Sequence, residues 1–69
     1  MKYFLQYYGQ FSKLWFFSGD YCEGFSSLKA TKRIQSDRHR CTGMNYRIVT
    51  KTKTGKVARV MKKPLTPVE

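Results

Sequence analysis

The chain has 69 residues and carries 14 Lys and Arg against four Asp and Glu, a formal net charge of +10 with its single His neutral. Hydrophobic residues make up 41 % of it, with five Phe, five Tyr and one Trp among them. A domain of this length buries only about 60 % of its unfolded surface, which excludes several domains and a catalytic cleft between lobes, and the aromatic content excludes wholesale disorder.

The longest apolar run, Leu14 to Phe17, is far shorter than the roughly 18 residues a membrane-crossing helix needs. Gln6 and Lys13 interrupt the N-terminal apolar region and no small-residue cleavage site follows it, so no signal peptide is read. The expectation is a cytoplasmic protein that does not enter a membrane.

The first predicted strand covers 2–8, rich in residues that suit a half-buried pleated surface. Alternation places Tyr3, Leu5 and Tyr7 on one face and Phe4, Gln6 and Tyr8 on the other. After a turn at Gly9-Gln10, a second run covers 11–18, with Lys13, Trp15 and Phe17 opposing Leu14 and Phe16. Both faces of this run are apolar. It is therefore either central and covered twice or exposed on one side as a binding surface. Gly19-Asp20 breaks the pattern, and 21–25 reads as a short third strand or a loop.

A helix is predicted over 26–40, with Ser26 or Ser27 able to cap its first turn. Its thin apolar stripe is Ala30, Ile34 and Cys41, flanked by Leu28 and Thr31. Such a helix needs a sheet to hold it. Beyond Thr42-Gly43, Met44 to Thr52 reads as a strand: Met44, Tyr46, Ile48 and Thr50 share one face, Asn45, Arg47, Val49 and Lys51 the other. A hairpin turn at Thr54-Gly55 leads into an antiparallel strand over 57–61, where Val57, Arg59 and Met61 share a face.

The fold class is thus α+β: a small antiparallel sheet, β-β-(β)-α-β-β, with one helix packed on one face. One basic domain is assigned to 1–63 and a flexible tail to 64–69, where two prolines interrupt any period. Phe4, Leu14, Phe16, Tyr46 and Ile48 are the expected core, and Trp15 is expected to be at least partly buried.

Charge is the most informative feature. Nine basic residues and no acid lie in 38–63, while Asp20, Glu23 and Asp37 precede that stretch. Crowded like charge costs stability unless something negative meets it. The candidate nucleic-acid contacts are Arg47, Lys51, Lys53, Lys56, Arg59, Lys62 and Lys63, joined by Lys29 and Arg33 of the helix. The signal is electrostatic and carries no sequence-reading motif, so binding to DNA or RNA would rest on phosphate contacts.

An acidic protein surface is the alternative partner. The alternative function is a protein-interaction module or inhibitor that binds a partner protein through its basic face or through exposed aromatics. Tyr7, Tyr8, Phe11 and Trp15 are the candidate contacts, because Tyr and Trp dominate interaction hot spots. A homodimer through the same residues is also open.

Catalysis is not expected. No carboxylates pair at helical spacing, and His39 lies between two arginines with nothing to orient it as a base. Cys22, His39 and Cys41 lack a fourth ligand and the usual zinc spacing, so no metal or other cofactor is assigned. The two cysteines allow one disulfide or two free thiols, thiols being the cytosolic default.

The strand order followed by a Ser-initiated helix over 2–40 loosely resembles small arm-type DNA-binding domains, where a three-stranded sheet precedes one helix. In size and charge the chain also resembles phage accessory proteins that grip one host protein.

Overall fold

Four strands and one helix follow one another as β1 (Phe4–Gly9), β2 (Leu14–Phe17), α1 (Leu28–Thr42), β3 (Tyr46–Lys51) and β4 (Val57–Lys62). The structure is a computed structural model that describes residues 1–19 and 23–66. The strands form one antiparallel sheet with α1 packed on one face, as the sequence predicts; the spatial order, which the sequence does not specify, is β2-β1-β3-β4. Part of the ambiguous 21–25 segment lies outside the described residues; of the rest, Phe25 makes a single antiparallel bridge to Tyr3.

Pairing across β1 carries the predicted alternation into three dimensions. Leu5 opposes Ile48 and Tyr7 opposes both Tyr46 and Phe16, placing these residues on the helix side. Phe4 opposes Val49, Gln6 opposes Arg47 and Phe17, and Tyr8 opposes Trp15, on the side that no helix covers. The core is Leu5, Tyr46 and Ile48, with Tyr3, Tyr7, Phe25, Leu28, Ile34, Met44 and Met61 packed round it. Ile48 is fully buried, which stabilises the fold by about 1.5–3 kcal/mol relative to an exposed side chain.

The expected core group needs correction at two positions. Leu14 and Phe16 are exposed, because β2 is an edge strand and α1 lies over β1 and β3 instead. Phe4 is half-buried on the helix-free face. Trp15 is half-buried.

The helix begins and ends two residues later than its predicted bounds. Ser27 is the cap: its Oγ accepts from the Ala30 N–H at 3.3 Å. Gly43 closes the helix in the left-handed region, its N–H donating to the His39 carbonyl at 2.8 Å. Its buried residues are Thr31 and Gln35, whereas Ala30 and Cys41 are exposed. The buried face is polar yet largely satisfied. Thr31 Oγ1 donates to the Ser27 carbonyl at 2.6 Å, and Gln35 Nε2 donates to the carbonyls of Tyr46 at 2.6 Å and Lys63 at 3.1 Å.

The β3–β4 hairpin turns at the predicted place, with Gly55 at φ 86° and its N–H donating to the Thr52 carbonyl. Strict alternation does not survive in β4. Register shifts between Ile48 and Val49 and between Thr50 and Lys51 set Arg59 opposite Thr50 and Val57 opposite Lys51. Val57 and Arg59 therefore do not share a face. An extra residue in one strand reverses the direction of every side chain beyond it.

Candidate interaction surface

On the helix-free face, side chains from three strands build a layer of rings roofed by cations. Tyr8 and Trp15 pack with ring centroids 5.2 Å apart, and Phe4 meets Phe17 edge-on at 6.4 Å. The Arg47 guanidinium lies 4.5 Å above the Trp15 ring, and its Nε donates to Gln6 Oε1 at 2.8 Å. Lys51 Nζ sits 4.2 Å from the Phe4 centroid and 4.4 Å from that of Phe17. Beneath this roof Val49 and Gln6 are buried although no helix covers them. Burial pushes the Arg47 pKa down from its ordinary value, but a guanidinium stays cationic at neutral pH.

Arg47 and Lys51 both belong to β3, yet they lie over rings of β2, across the intervening β1. The long stems carry their charge toward the sheet edge while covering apolar surface, as amphipathic side chains do.

The helix side of β2 is different: it is apolar and has no roof. Leu14 is 59 % and Phe16 39 % exposed, and Phe11, in the turn before them, is fully exposed. Tyr7 packs 5.6 Å from Phe16 and 6.4 Å from Tyr46, joining this patch to the core. Two hollows flank it. One, of about 370 Å³, is lined by Tyr7, Ser18, Gly19, Arg38, Met44 and Tyr46. The other, of about 360 Å³, lies between the β1–β2 turn and the end of α1, with Tyr8, Phe11, Gly43 and Met44 in its walls. At the end of α1, His39 Nδ1 donates to the Met44 carbonyl at 2.9 Å, and the Met44 N–H donates to Thr42 Oγ1 at 3.1 Å.

The predicted contact residues are scattered by comparison. Of the aromatic set, Tyr7 faces the core, Tyr8 and Trp15 belong to the roofed layer, and Phe11 stands in the turn. Lys53 and Lys56 are exposed at the β3–β4 turn, and Arg59 is exposed on the edge strand β4. Lys62 ends β4 half-buried, and the exposed Lys63 lends its carbonyl to Gln35. Lys29 and Arg33 are exposed on α1, on the opposite side of the sheet from Arg47 and Lys51. The basic residues are thus divided between the two sides of the molecule.

Leu14, Phe16, Phe4 and Phe17 were not among the predicted contacts. The two-sided apolar pattern of 14–17 was the signal that could have found Leu14, Phe16 and Phe17; Phe4, in β1, lies outside it. Among the described residues no cluster of His, Cys, Asp and Glu is arranged to hold a metal ion; Cys22 lies outside them, and Cys41 is an exposed free thiol. Among the described residues no helix is long and apolar enough to cross a membrane. Compared with protein-family models, with curated proteins and with solved structures, the chain matches none of them.

Proposed function

We propose that this chain is a small non-enzymatic interaction module that binds a partner protein through its β1–β2 hairpin. The observation that carries the reading is the exposure of Leu14 and Phe16 on the helix side of an edge strand, together with the fully exposed Phe11 in the turn that leads into it. Large apolar side chains grouped in this way are costly to leave in water and mark docking surfaces on small proteins. Tyr7 behind them and Met44 beside them offer the well-packed surroundings in which interaction hot spots form.

The phosphate-contact reading has less behind it. Base stacking on a sheet needs open ring faces, and here Arg47 and Lys51 occupy faces of Trp15, Phe4 and Phe17. Lys53 and Lys56 remain available for phosphates, but Lys29 and Arg33 lie on the other side of the sheet.

The test is affinity capture from the native cell, with and without nuclease. It compares the parent chain with a Phe11→Ser, Leu14→Ser variant and a Lys53→Gln, Lys56→Gln variant. The reading expects one stoichiometric protein that resists nuclease, is lost with the hairpin variant and is kept with the lysine variant. Capture that vanishes on nuclease treatment, or that follows the lysines, would refute it.

A further inference from the structure

The edge of β2 has a definite hydrogen-bonding register. The Ser18 N–H donates to the Leu5 carbonyl at 3.0 Å, which makes Leu5 and Ser18 a hydrogen-bonded pair of the β1–β2 ladder. In an antiparallel ladder such pairs alternate with non-bonded ones. Phe16 and Leu14 are therefore bonded to β1, whereas the backbone N–H and C=O of Trp15 and Phe17 aim away from it. The Tyr8 N–H agrees: it donates to the Asn45 carbonyl, on the far side of β1 from β2. Among the described residues no strand lies beyond β2.

Edge strands of natural sheets are usually blunted by a charge, a proline or a bulge. Leu14-Trp15-Phe16-Phe17 has none of these. Charge is instead brought in from two strands away, because Arg47 and Lys51 lie on the rings of Trp15 and Phe17, the same two residues whose backbones face outward. A strand added beside β2 would place alternate side chains directly beside these rings and their cations. Its other side chains would lie on the helix side, against Leu14 and Phe16.

We propose that the free edge of β2 takes up an extended acidic segment of a partner protein as a fifth strand. Carboxylates alternate on the side of Arg47 and Lys51, and apolar side chains alternate on the side of Leu14 and Phe16. The occupant is acidic because the chain is +10 and the two cations lying on the Trp15 and Phe17 rings meet no carboxylate of their own among the described residues. A second copy would instead bring two such cation pairs together. The inference rests on the protein-binding reading above and names the chemistry of the partner. Main-chain hydrogen bonds supply affinity in this mode and the alternating side chains supply specificity.

The test is a nuclear magnetic resonance titration of the isotope-labelled full chain with a synthetic peptide of alternating Glu and Val. A second peptide carries Gln in place of Glu, so no substitution in the protein is needed. The expected result is movement and slowed hydrogen exchange of the Trp15 and Phe17 amides, with those of Lys53 and Lys56 unmoved. At low salt the Gln peptide should bind about tenfold more weakly.

Three results would overturn the proposal: unmoved Trp15 and Phe17 amides at about 1 mM peptide, the weak end of measurable affinity; equal affinity for the two peptides; or changes centred on the β3–β4 turn. Movement of the same amides with protein concentration alone would assign the edge to a second copy. Tighter binding of single-stranded DNA at those amides would assign the face to nucleic acid. Either result likewise refutes the acidic strand. If the peptides fail while nuclease-resistant capture through Phe11 and Leu14 persists, strand addition is lost and the interaction module stands.

Discussion

Arg47 is clamped between two partners contributed by different strands. Its guanidinium lies on the Trp15 ring of β2, while its Nε–H donates to the side-chain amide oxygen of the buried Gln6 in β1. The contact ties an edge strand to the centre of the sheet without any direct pairing between β2 and β3. Cation–ring contacts of this kind contribute about 0.5–1 kcal/mol where exposed and about 2 or more where desolvated.

A double-mutant cycle of Arg47→Gln and Trp15→Ala, read by urea denaturation, should give a coupling of about 1 kcal/mol between the two. Arg47→Lys should recover only part of it, since an ammonium lacks the planar fork that serves ring and amide together. Strict additivity of the two single changes would show that the stacking contributes nothing.

Gln35 is the second test of a buried polar group. Its amide N–H₂ serves the carbonyls of Tyr46 and Lys63, while its own Oε1 is buried without a hydrogen-bond partner. Gln35→Glu removes both donated bonds when ionised and should destabilise by about 3 kcal/mol at neutral pH. Burial beside two carbonyl oxygens would hold the introduced carboxyl above the ordinary value of about 4.3. The unfolded chain then loses its proton first. Stability is greatest below the unfolded pKa and is lost as pH rises toward the folded one. The variant should therefore lie closer to the parent near pH 4 than near pH 7; a pH-independent gap between their denaturation midpoints would contradict this.

Two glycines with similar positive φ should respond unequally to a methyl group. Gly43, at φ 73°, opens into free space, so Gly43→Ala carries only the left-handed backbone cost of about 1–2 kcal/mol. Gly24, at φ 77°, would set its Cβ 2.7 Å from Cε1 of the Phe4 ring. Gly24→Ala must displace that ring, which also carries Lys51, and should lower the thermal midpoint further than Gly43→Ala. Equal midpoints would mean that the Phe4 ring moves aside freely.

Phe11→Ser and Leu14→Ser should leave the denaturation midpoint nearly unchanged, since neither side chain belongs to the core. Ile48→Ala, by contrast, should cost about 2–5 kcal/mol. A large loss of stability in either serine variant would reassign that residue from docking to packing.

What the sequence disclosed follows the reach of each signal. Alternation is local, so the facing of Leu5 and Tyr7 against Phe4 and Gln6, and of Ile48 against Arg47 and Val49, was legible. So were the Gly55 turn and a serine cap, narrowed to Ser26 or Ser27, both of which depend on residues a few positions apart. Whether Leu14 and Phe16 lie inside or outside depends on strand order, and the order β2-β1-β3-β4 arises from pairing between distant segments. The packed helix face was legible only in part: Leu28, Thr31 and Ile34 were placed at it, but Ala30 and Cys41 are exposed. Gln35 was missed because it is polar and the backbone carbonyls it serves lie outside any hydrophobic pattern. The bulges of β4 left no mark that period-two reading can detect.

The pairing of β1 with β3 also sets a timetable for synthesis. Gln6 and Arg47, opposite one another in the finished sheet, are 41 positions apart. At about 5–20 residues per second a ribosome needs about two to eight seconds to make the intervening chain. The β1–β2 hairpin lacks its full helix until Thr42 is made and its inner neighbour until β3 follows, and both strands are rich in apolar residues on both faces. An isolated two-stranded hairpin is only marginally stable in water. The nascent chain therefore presents, before anything can cover it, the same adhesive segment that the finished protein keeps at its edge.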